Sequence, residues 1–263
     1  MLKKRLIPKL LVKHRPMGSS VWPVLVTTRS FANAHDVGDP VSQAKIYEAQ
    51  LADELVVLNI DGTPIAGDGV MLDLIERLAS ETFMPICVGG GVRSVEDFDT
   101  LLNRGADKVS VNSAALDNPD LITSAAQRYG VQCVVVSIDF RRDANGRPVV
   151  MREHATQSTG RVVFDWAREA VDRGAGELLL CDADRDGGGS GLNWVVGRAV
   201  ADAVGVPVIL SGGCGLAEHF VEGFKAGRAA GVAAGTFFCF RDQNPMQTRA
   251  HIRNAGVPIR MET

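Results

Sequence analysis

Short apolar runs alternate with longer amphipathic segments along most of the chain. The runs are four to eight residues long and often β-branched, which is typical of strands buried on both faces of a parallel sheet. Gly, Asp or Ser commonly follows them, as expected where a buried strand ends. The predicted strands cover residues 5–12, 55–60, 85–88, 108–112, 133–139, 178–183, 207–212 and 230–235.

The segments between these runs carry apolar residues at helical spacing. Ser94 stands three residues before Asp97, and this spacing indicates a helix start with a capping box. Several segments end at a glycine, as many helices do. The predicted helices cover residues 41–52, 70–80, 94–104, 117–128, 163–174, 193–204, 216–227 and 244–255.

Eight strand–helix units in succession predict an α/β fold, a single (βα)8 barrel that spans residues 1–263. An open, doubly wound sheet is the alternative. It is less favoured because no segment has the composition of an interdomain linker. The chain also repeats itself, since 176–184 resembles 53–61 and 207–215 resembles 85–91, at an offset of about 123 residues.

The repeat predicts twofold symmetry, with half barrels of about 1–129 and 130–263. The first strands of the two halves then align, which places Leu11 opposite Asp139. Asp139 ends an apolar strand, so its carboxylate is expected at the mouth of the barrel as a candidate general acid or base. The alternative is a structural ion pair with the arginines that follow it.

Two glycine clusters follow equivalent strands of the two halves. We call Gly90 and Gly91 the first glycine cluster, and Gly212 and Gly213 the second. Each precedes a helix start, where backbone amides point at anions, so together they predict a ligand with a phosphate at each end. The alternative is that the glycines only make tight turns. Small polar residues after the next strand of each half complete the predicted phosphate sites: Asn112, Ser113, Gly235 and Thr236.

The sixth predicted strand leads into an acidic, glycine-rich loop that contains Asp184, Asp186 and Gly187. Its D-x-D-x-D-G spacing resembles a calcium loop, but Asn193 replaces the glutamate needed at the twelfth position. We interpret the segment as a substrate loop. No set of the five histidines has zinc-site spacing, so neither a metal nor a cofactor is predicted.

Four charged residues stand at strand starts on the opposite end of the predicted barrel. They are Arg5, Glu54, Lys108 and Glu177, and the two glutamates are related by the repeat. Any one of them alone is expected to be a solvated strand cap. Four of mixed sign favour a salt-bridged layer across the bottom of the barrel, where mutual pairing offsets the cost of burial.

Composition narrows the class of protein. The net charge of −3 provides no overall positive field for nucleic acid, and no apolar run reaches membrane-spanning length. Lysines interrupt the apolar N-terminal patch, which is unlike a signal peptide. The five cysteines lack CxxC spacing and lie in or beside apolar runs. We therefore expect reduced, buried thiols in a cytoplasmic protein.

These features carry a resemblance that spans almost the whole chain. The sequence resembles HisF, the cyclase subunit of imidazole glycerol phosphate synthase, in stretches that include DELVVL, VGGGVRSVED, RGADKVSVN, SIDFRR, DRDG and SGGCG. The resemblance implies a (βα)8 barrel with two phosphate sites. It also implies a HisH-like glutaminase docked on the N-terminal face of the barrel, with ammonia entering through a gate. The gate maps onto Arg5, Glu54, Lys108 and Glu177.

The family's catalytic pair is not complete. The resemblance implies one acid at the end of the first strand and one at the end of the fifth. The fifth-strand acid is Asp139, but Leu11 occupies the first-strand position. The segment 13–37 is also longer than expected and is interpreted as a loop. The substrate end is thus altered while the ammonia end is kept.

This combination is similar to a HisF-like branch of surface-polysaccharide biosynthesis. The leading hypothesis is a barrel that channels ammonia for acetamidino-sugar formation, together with an ATP-dependent amidotransferase. The alternative is a histidine-pathway cyclase, a lyase, in which Asp61 or Asp184 replaces the missing acid. A third hypothesis is a non-catalytic scaffold that binds a phosphorylated ligand and a partner protein.

Overall fold

A computed structural model describes residues 3–240 and 243–260, so both ends of the predicted 1–263 span lie outside the described residues. The strands are β1 (Arg5–Met17), β2 (Ser20–Arg29), β3 (Ala32–Gly38), β4 (Leu55–Asn59), β5 (Ile86–Gly89), β6 (Lys108–Val111), β7 (Val134–Arg142), β8 (Pro148–Arg152), β9 (Gln157–Val162), β10 (Glu177–Asp182), β11 (Val208–Ser211) and β12 (Gly231–Ala234).

Ten α-helices are found in the same part of the chain. They are α1 (Pro40–Ala49), α2 (Gly69–Glu81), α3 (Val95–Asn103), α4 (Ser113–Asp117), α5 (Asp120–Tyr129), α6 (Val163–Asp172), α7 (Trp194–Ala203), α8 (Ala217–Lys225), α9 (Thr236–Phe240) and α10 (Pro245–Asn254). All eight predicted helices are present. The two that were not predicted, α4 and α9, are only five residues long and each follows a barrel strand directly.

Eight parallel strands form a closed barrel in the order β1, β4, β5, β6, β7, β10, β11, β12. Pairing of β7 with β10 joins the two halves on one side, and pairing of β12 with β1 joins them on the other. This closure excludes the open doubly wound sheet and confirms the (βα)8 barrel. The division into half barrels as domains remains a prediction, because the ring is one continuous sheet.

The segment 13–37 is not the loop expected from the sequence. Strand β1 continues to Met17, turns at Gly18 and returns as β2, which pairs antiparallel with β1 and with β3. Gly18 has a φ of +64°, as a tight hairpin requires. Strands β8 and β9 extend β7 in the same antiparallel way. Each half barrel therefore carries a β extension on its first strand, above the mouth.

Two apolar cores hold the barrel together. The larger lies between the strands and the outer helices, with Phe98, Trp166 and Phe220 among its fully buried side chains. The smaller lies inside the barrel, where seven residues form a tightly packed layer. These are Ile7, Val56, Cys87, Val135, Leu179, Ile209 and Ala233, each at most 1% exposed. We call them the interior apolar layer.

Helix α3 begins with the predicted capping box. The Ser94 hydroxyl accepts a hydrogen bond from the Asp97 amide, and the Asp97 carboxylate accepts one from the Ser94 amide. These bonds satisfy two amide groups that the first turn of a helix leaves without partners. The helix start after the first glycine cluster is therefore set by two residues that the sequence identified.

We predict that Ser94→Ala lowers the free energy of unfolding by about 1 kcal/mol, since it removes one half of the capping box. Urea denaturation measures the change. Ser80→Ala, in the exposed last turns of α2, is the matched control and should change the value by less than about 0.5 kcal/mol. Equal effects of the two substitutions would show that the cap contributes nothing specific.

Candidate active site

The four charged residues at the strand starts form a closed ring of ion pairs across the bottom of the barrel. Arg5 binds Glu54 at 2.6 Å and also binds Glu177. Lys108 binds the same two glutamates, each at 2.9 Å. The predicted salt-bridged layer is therefore present, and the reading of these residues as separate solvated caps is wrong. Their role as an ammonia gate remains a prediction.

Ionisation inside this ring follows from its pairing. Burial alone would raise the pKa of Glu177, but its hydrogen bond and charge interaction with Arg5 and its pairing with Lys108 lower the pKa below its usual range. For Lys108, burial would lower the pKa, yet the two carboxylates raise it. Mutual pairing therefore favours the charged forms of Arg5, Lys108 and Glu177.

The interior apolar layer lies directly above the ring, and Lys9 lies above that layer. Lys9 follows Ile7 by two residues on β1, so its side chain also points into the barrel. It is 6% exposed. Its ammonium lies 3.7 Å from the Cys181 sulfur, on a strand three positions away around the ring. The lysine side chain therefore reaches across the barrel interior.

Sequence reasoning missed Lys9, although a signal was available. Lys9 lies in the middle of a strand, with buried residues on both sides, and an even number of residues separates it from an inward-facing residue. Its ammonium must therefore pair with polar groups inside the barrel, because burying it without partners would destabilise the strand. Its second partner is Asp186, whose nearest carboxylate oxygen lies 3.7 Å from the ammonium.

Strand register places Leu11 and Asp139 at equivalent positions. Leu11 pairs with Leu58 on β4, and Asp139 pairs with Cys181 on β10. Cys181 follows Leu58 by 123 residues, the offset of the sequence repeat. The strand register of the barrel therefore gives the same alignment of Leu11 with Asp139 as the sequence repeat.

Asp139 stands at the mouth, as expected for the end of a barrel strand. One of its carboxylate oxygens accepts a hydrogen bond of 2.7 Å from the side-chain amide of Asn112. Burial raises the pKa of Asp139 to about 6, against the opposing effects of the Lys9 ammonium and the Asn112 amide. Arg141 binds Asp184 instead, so the alternative of an Asp139–arginine pair is wrong. A carboxyl group that titrates near neutral pH suits acid–base chemistry.

The first glycine cluster packs against the loop after β4. A side chain at Gly90 would approach the Asn59 carbonyl oxygen to 2.0 Å, and one at Gly91 would approach the Thr63 carbonyl oxygen to 1.8 Å. These glycines are therefore required for close packing, whatever they bind. Ser113 begins α4 beside Asn112, so the hydrogen bond from Asn112 links this predicted phosphate site to Asp139.

The second glycine cluster opens onto a cavity at the mouth. The cavity brings together the second cluster, Gly235, Thr236, the Lys9 side chain, Leu11 and two members of the predicted substrate loop, Asp186 and Gly187. Ser211 also lines it. This is a concave, polar site with small residues on one side, as a phosphorylated ligand requires.

The two acids of the substrate loop have different environments. Asp184 lies on the rim, bound to the Arg141 guanidinium at 2.7 Å and to the Arg142 amide at 3.0 Å. Asp186 is 6% exposed and faces Lys9, and its other oxygen accepts a bond of 2.7 Å from the Thr28 hydroxyl. Only Asp186 therefore reaches the cavity.

Three of the five cysteines are buried, namely Cys87, Cys181 and Cys214, while Cys133 and Cys239 are only partly buried. Burial raises the pKa of Cys181 to about 12, so its thiol is protonated. No cluster of metal-binding side chains occurs within residues 3–240 and 243–260. Over the same residues, no helix has both the length and the apolarity needed to cross a bilayer.

Comparison with known proteins places this barrel in a family. The profile of the histidine biosynthesis protein family matches residues 18–243. HisF, a subunit of imidazole glycerol phosphate synthase, from Gluconacetobacter diazotrophicus is 45% identical over 260 residues, which is 99% of this chain and 97% of that protein. The chain belongs to the HisF family.

Two further relatives bear on how this HisF-family chain is classified. HisF from Caulobacter vibrioides is 45% identical over 264 residues, covering 100% of this chain and 98% of the relative. A Prochlorococcus marinus protein, named provisionally as imidazole glycerol phosphate synthase subunit hisF2, is 51% identical over 262 residues and the full length of both chains. All three are named as subunits of a synthase, which is an enzyme, and none is named for polysaccharide synthesis.

We predict that Asp139→Asn stabilises the protein in a pH-dependent way. Its folded-state pKa of about 6 lies above the ordinary value of 3.8, so the folded state holds this proton more tightly than the unfolded chain. Ionisation of Asp139 therefore lowers stability progressively between about pH 3.8 and about pH 6, and the loss stays constant above pH 6. The substitution should raise the free energy of unfolding by about 1–3 kcal/mol at pH 8 and by about half as much at pH 5.

Urea denaturation at the two pH values measures this difference. Asp73→Asn, on the exposed face of α2, is the control and should give the same small change at both. A gain from Asp139→Asn that does not depend on pH would mean that the carboxyl group does not titrate near pH 6.

Proposed function

We propose that this protein is the cyclase subunit of an imidazole glycerol phosphate synthase, with an altered acid–base set. The observation that carries the proposal is Asp139, a carboxyl group with a pKa of about 6 at the mouth of a barrel that is 45% identical to HisF over nearly its whole length. This favours the cyclase over the acetamidino-sugar hypothesis. The substrate is a phosphoribulosyl compound that reacts with ammonia.

The two glycine clusters would hold the ends of this substrate. Gly212 and Gly213, with Gly235 and Thr236, line the cavity and would bind one phosphate through backbone amides. Gly90 and Gly91, with Asn112 and Ser113, would bind the other. Asp139 lies between the two groups, and its hydrogen bond to Asn112 connects it to the first. A ligand held at both ends would therefore pass next to the Asp139 carboxyl group.

Ammonia would come from the opposite face. The ion-paired ring closes that face, and a HisH-like glutaminase docked there would release ammonia against it. Phe83, in the loop before β5, is 95% exposed on this same side of the barrel. A large, fully exposed aromatic side chain suits a protein interface better than solvent.

Turnover of the phosphoribulosyl substrate with ammonium salt tests the proposal directly. We expect measurable product from the wild type, and we expect Asp139→Asn to lower kcat roughly 100- to 10,000-fold because it removes one acid–base group. Asp73→Asn should have no effect. A wild type without activity on this substrate would refute the cyclase proposal.

A matched pair of assays tests the gate. Lys108→Met removes one cation from the ring and leaves Glu54 and Glu177 with Arg5 alone. We predict that glutamine-dependent turnover with the glutaminase falls several-fold while turnover with external ammonium salt, which enters at the mouth, stays within twofold.

Lys45→Met, an exposed lysine on α1, is the control for the gate experiment and should leave both assays unchanged. Equal loss in the glutamine and ammonium assays would contradict a gating role for Lys108, since a general defect in the barrel would lower both.

One observation favours a second candidate. Leu11 cannot transfer a proton, and in this second candidate the barrel delivers ammonia to an ATP-dependent amidotransferase that forms an acetamidino sugar. Stimulation of the glutaminase by this barrel, without turnover of the phosphoribulosyl substrate, is the result expected for that candidate. A scaffold without catalytic function predicts neither stimulation nor turnover.

A further inference from the structure

Strand β1 carries a buried ammonium two residues before the position of the lost acid. Lys9 and Leu11 line the same cavity, and Lys9 extends across the barrel towards β10 and the substrate loop. At the equivalent position of the other half barrel stands Ser137, which pairs with Leu179 as Lys9 pairs with Val56. The ammonium is therefore a feature of one half barrel only.

Asp186 is fixed over this ammonium by the β extension of the same strand. The Thr28 hydroxyl of β2 donates to one carboxylate oxygen at 2.7 Å, and the Ser30 amide donates to the Asp186 carbonyl at 2.9 Å. A side chain at Gly187 would approach the Thr28 carbonyl oxygen to 2.1 Å, so the loop lies tightly against β2. The segment that replaces the expected loop thus determines where Asp186 stands.

The other acids considered for the missing role are engaged elsewhere. Asp61 binds the Lys13 ammonium at 2.7 Å and the His14 amide at 2.6 Å. Although burial opposes it, the pairing with Lys13 lowers the pKa of Asp61, and Asp61 does not line the cavity. Asp184 is bound by Arg141 on the rim and does not line the cavity.

We propose that Asp186, which faces the Lys9 ammonium at 3.7 Å, acts as the second proton-transfer group beside Asp139 and takes the role of the acid that is missing at Leu11. The inference rests on the cyclase function proposed above. Asp186 would be a catalytic residue, and Lys9 a positioning residue that acts through it. In a ring closure that consumes ammonia, one carboxylate accepts a proton from the attacking nitrogen and the other carboxylic acid gives a proton to the departing oxygen. One proton is taken and one is returned, so the pair keeps its total charge.

The groups that face Asp139 fit this assignment. They are the Lys9 ammonium of β1, the Asn112 amide of β6, the neutral thiol of Cys181 on β10 and the Asp186 carboxylate after β10. One ammonium faces two carboxyl groups, so the centre is balanced when one of the two acids is protonated. With Asp139 titrating at a pKa of about 6, the centre can exchange that proton near neutral pH.

Kinetics of the holoenzyme test the role of Asp186. Asp186→Asn should lower kcat with ammonium salt roughly 100-fold or more. Adding Leu11→Asp to this variant should raise kcat again by roughly tenfold or more, because it returns an acid to the cavity. Asp73→Asn and Lys45→Met are the matched controls. Loss of activity with no rescue by Leu11→Asp, or no loss at all, would overturn the assignment.

A titration of Asp139 tests the coupling without any need for turnover. Carbon-13 NMR of labelled aspartate carboxyls measures its pKa in each variant. Lys9→Met removes a neighbouring positive charge and should raise the pKa of Asp139, whereas Asp186→Asn removes a negative charge and should lower it. The acid limb of the pH–rate profile should move in the same directions. A pKa that is unchanged in both variants would overturn the proposed centre.

The two experiments also separate the inference from the function on which it rests. A wild type with no turnover on the phosphoribulosyl substrate refutes both the cyclase and the catalytic role of Asp186, even if the Asp139 pKa responds to both variants. A wild type with normal turnover, in which Asp186→Asn stays within threefold of full activity, refutes the inference alone.

Discussion

The barrel depends on pairing every charge that it encloses. Arg5 contacts two glutamates that lie on opposite sides of β1 in the ring, Glu54 immediately before β4 and Glu177 on β10. Both contacts form only if the sheet is closed and in register. Breaking such a group leaves a buried charge without a partner, which costs several kcal/mol. The ion-paired ring therefore selects one register at the bottom of the barrel, even if an apolar layer in its place would be equally stable.

Lys9, above the interior apolar layer, must also have its buried charge compensated, but it has fewer partners than the charged residues of the ring. Among the residues that the structure describes, the acid oxygen nearest to the Lys9 ammonium belongs to Asp186 and lies 3.7 Å away, beyond direct hydrogen-bond distance. In the ring each cation contacts two acids, so the charges are fixed. Around Lys9 the acids outnumber the cation and one of them, Asp139, is close to titration at neutral pH. Tight pairing suits a structural layer, and looser pairing with an uneven number of charges suits a site that moves protons.

Most of the fold could be predicted because the barrel repeats a local pattern. Strands buried on both faces have continuous apolar runs, and every barrel strand lies within a few residues of its predicted place. The β extension of β1 was missed because its burial changes along each strand, so Ser20 to Trp22 are exposed while Leu25 and Val26 are buried. No simple alternation marks such a strand. Its partner is β1 itself, and pairing between strands is not written in the sequence of either.

The sequence predicted residues of the site but not which of them lie together in the cavity. The sequence placed Asp184 and Asp186 together in one loop, yet only the contact of Thr28 with Asp186 decides which of them enters the cavity. That contact joins residues 158 positions apart. Lys9 was overlooked because it interrupts a strand that otherwise fits the apolar pattern, and such an interruption is easily taken for an outward-facing position. Parity with Ile7 and Arg5 excludes this, since all three lie on the inward face.

The two half barrels have thus diverged at the same two positions. Where the second half has Ser137 and Asp139, the first has Lys9 and Leu11, so the acid of one half faces the ammonium of the other. Leu11 is not the only difference between the first strands of the two half barrels. Lys9 lies two residues earlier, and Thr28 of β2 holds Asp186 above its ammonium. In the proposed centre, the first strand contributes an ammonium, Lys9, and the second carboxylate comes from the loop after β10.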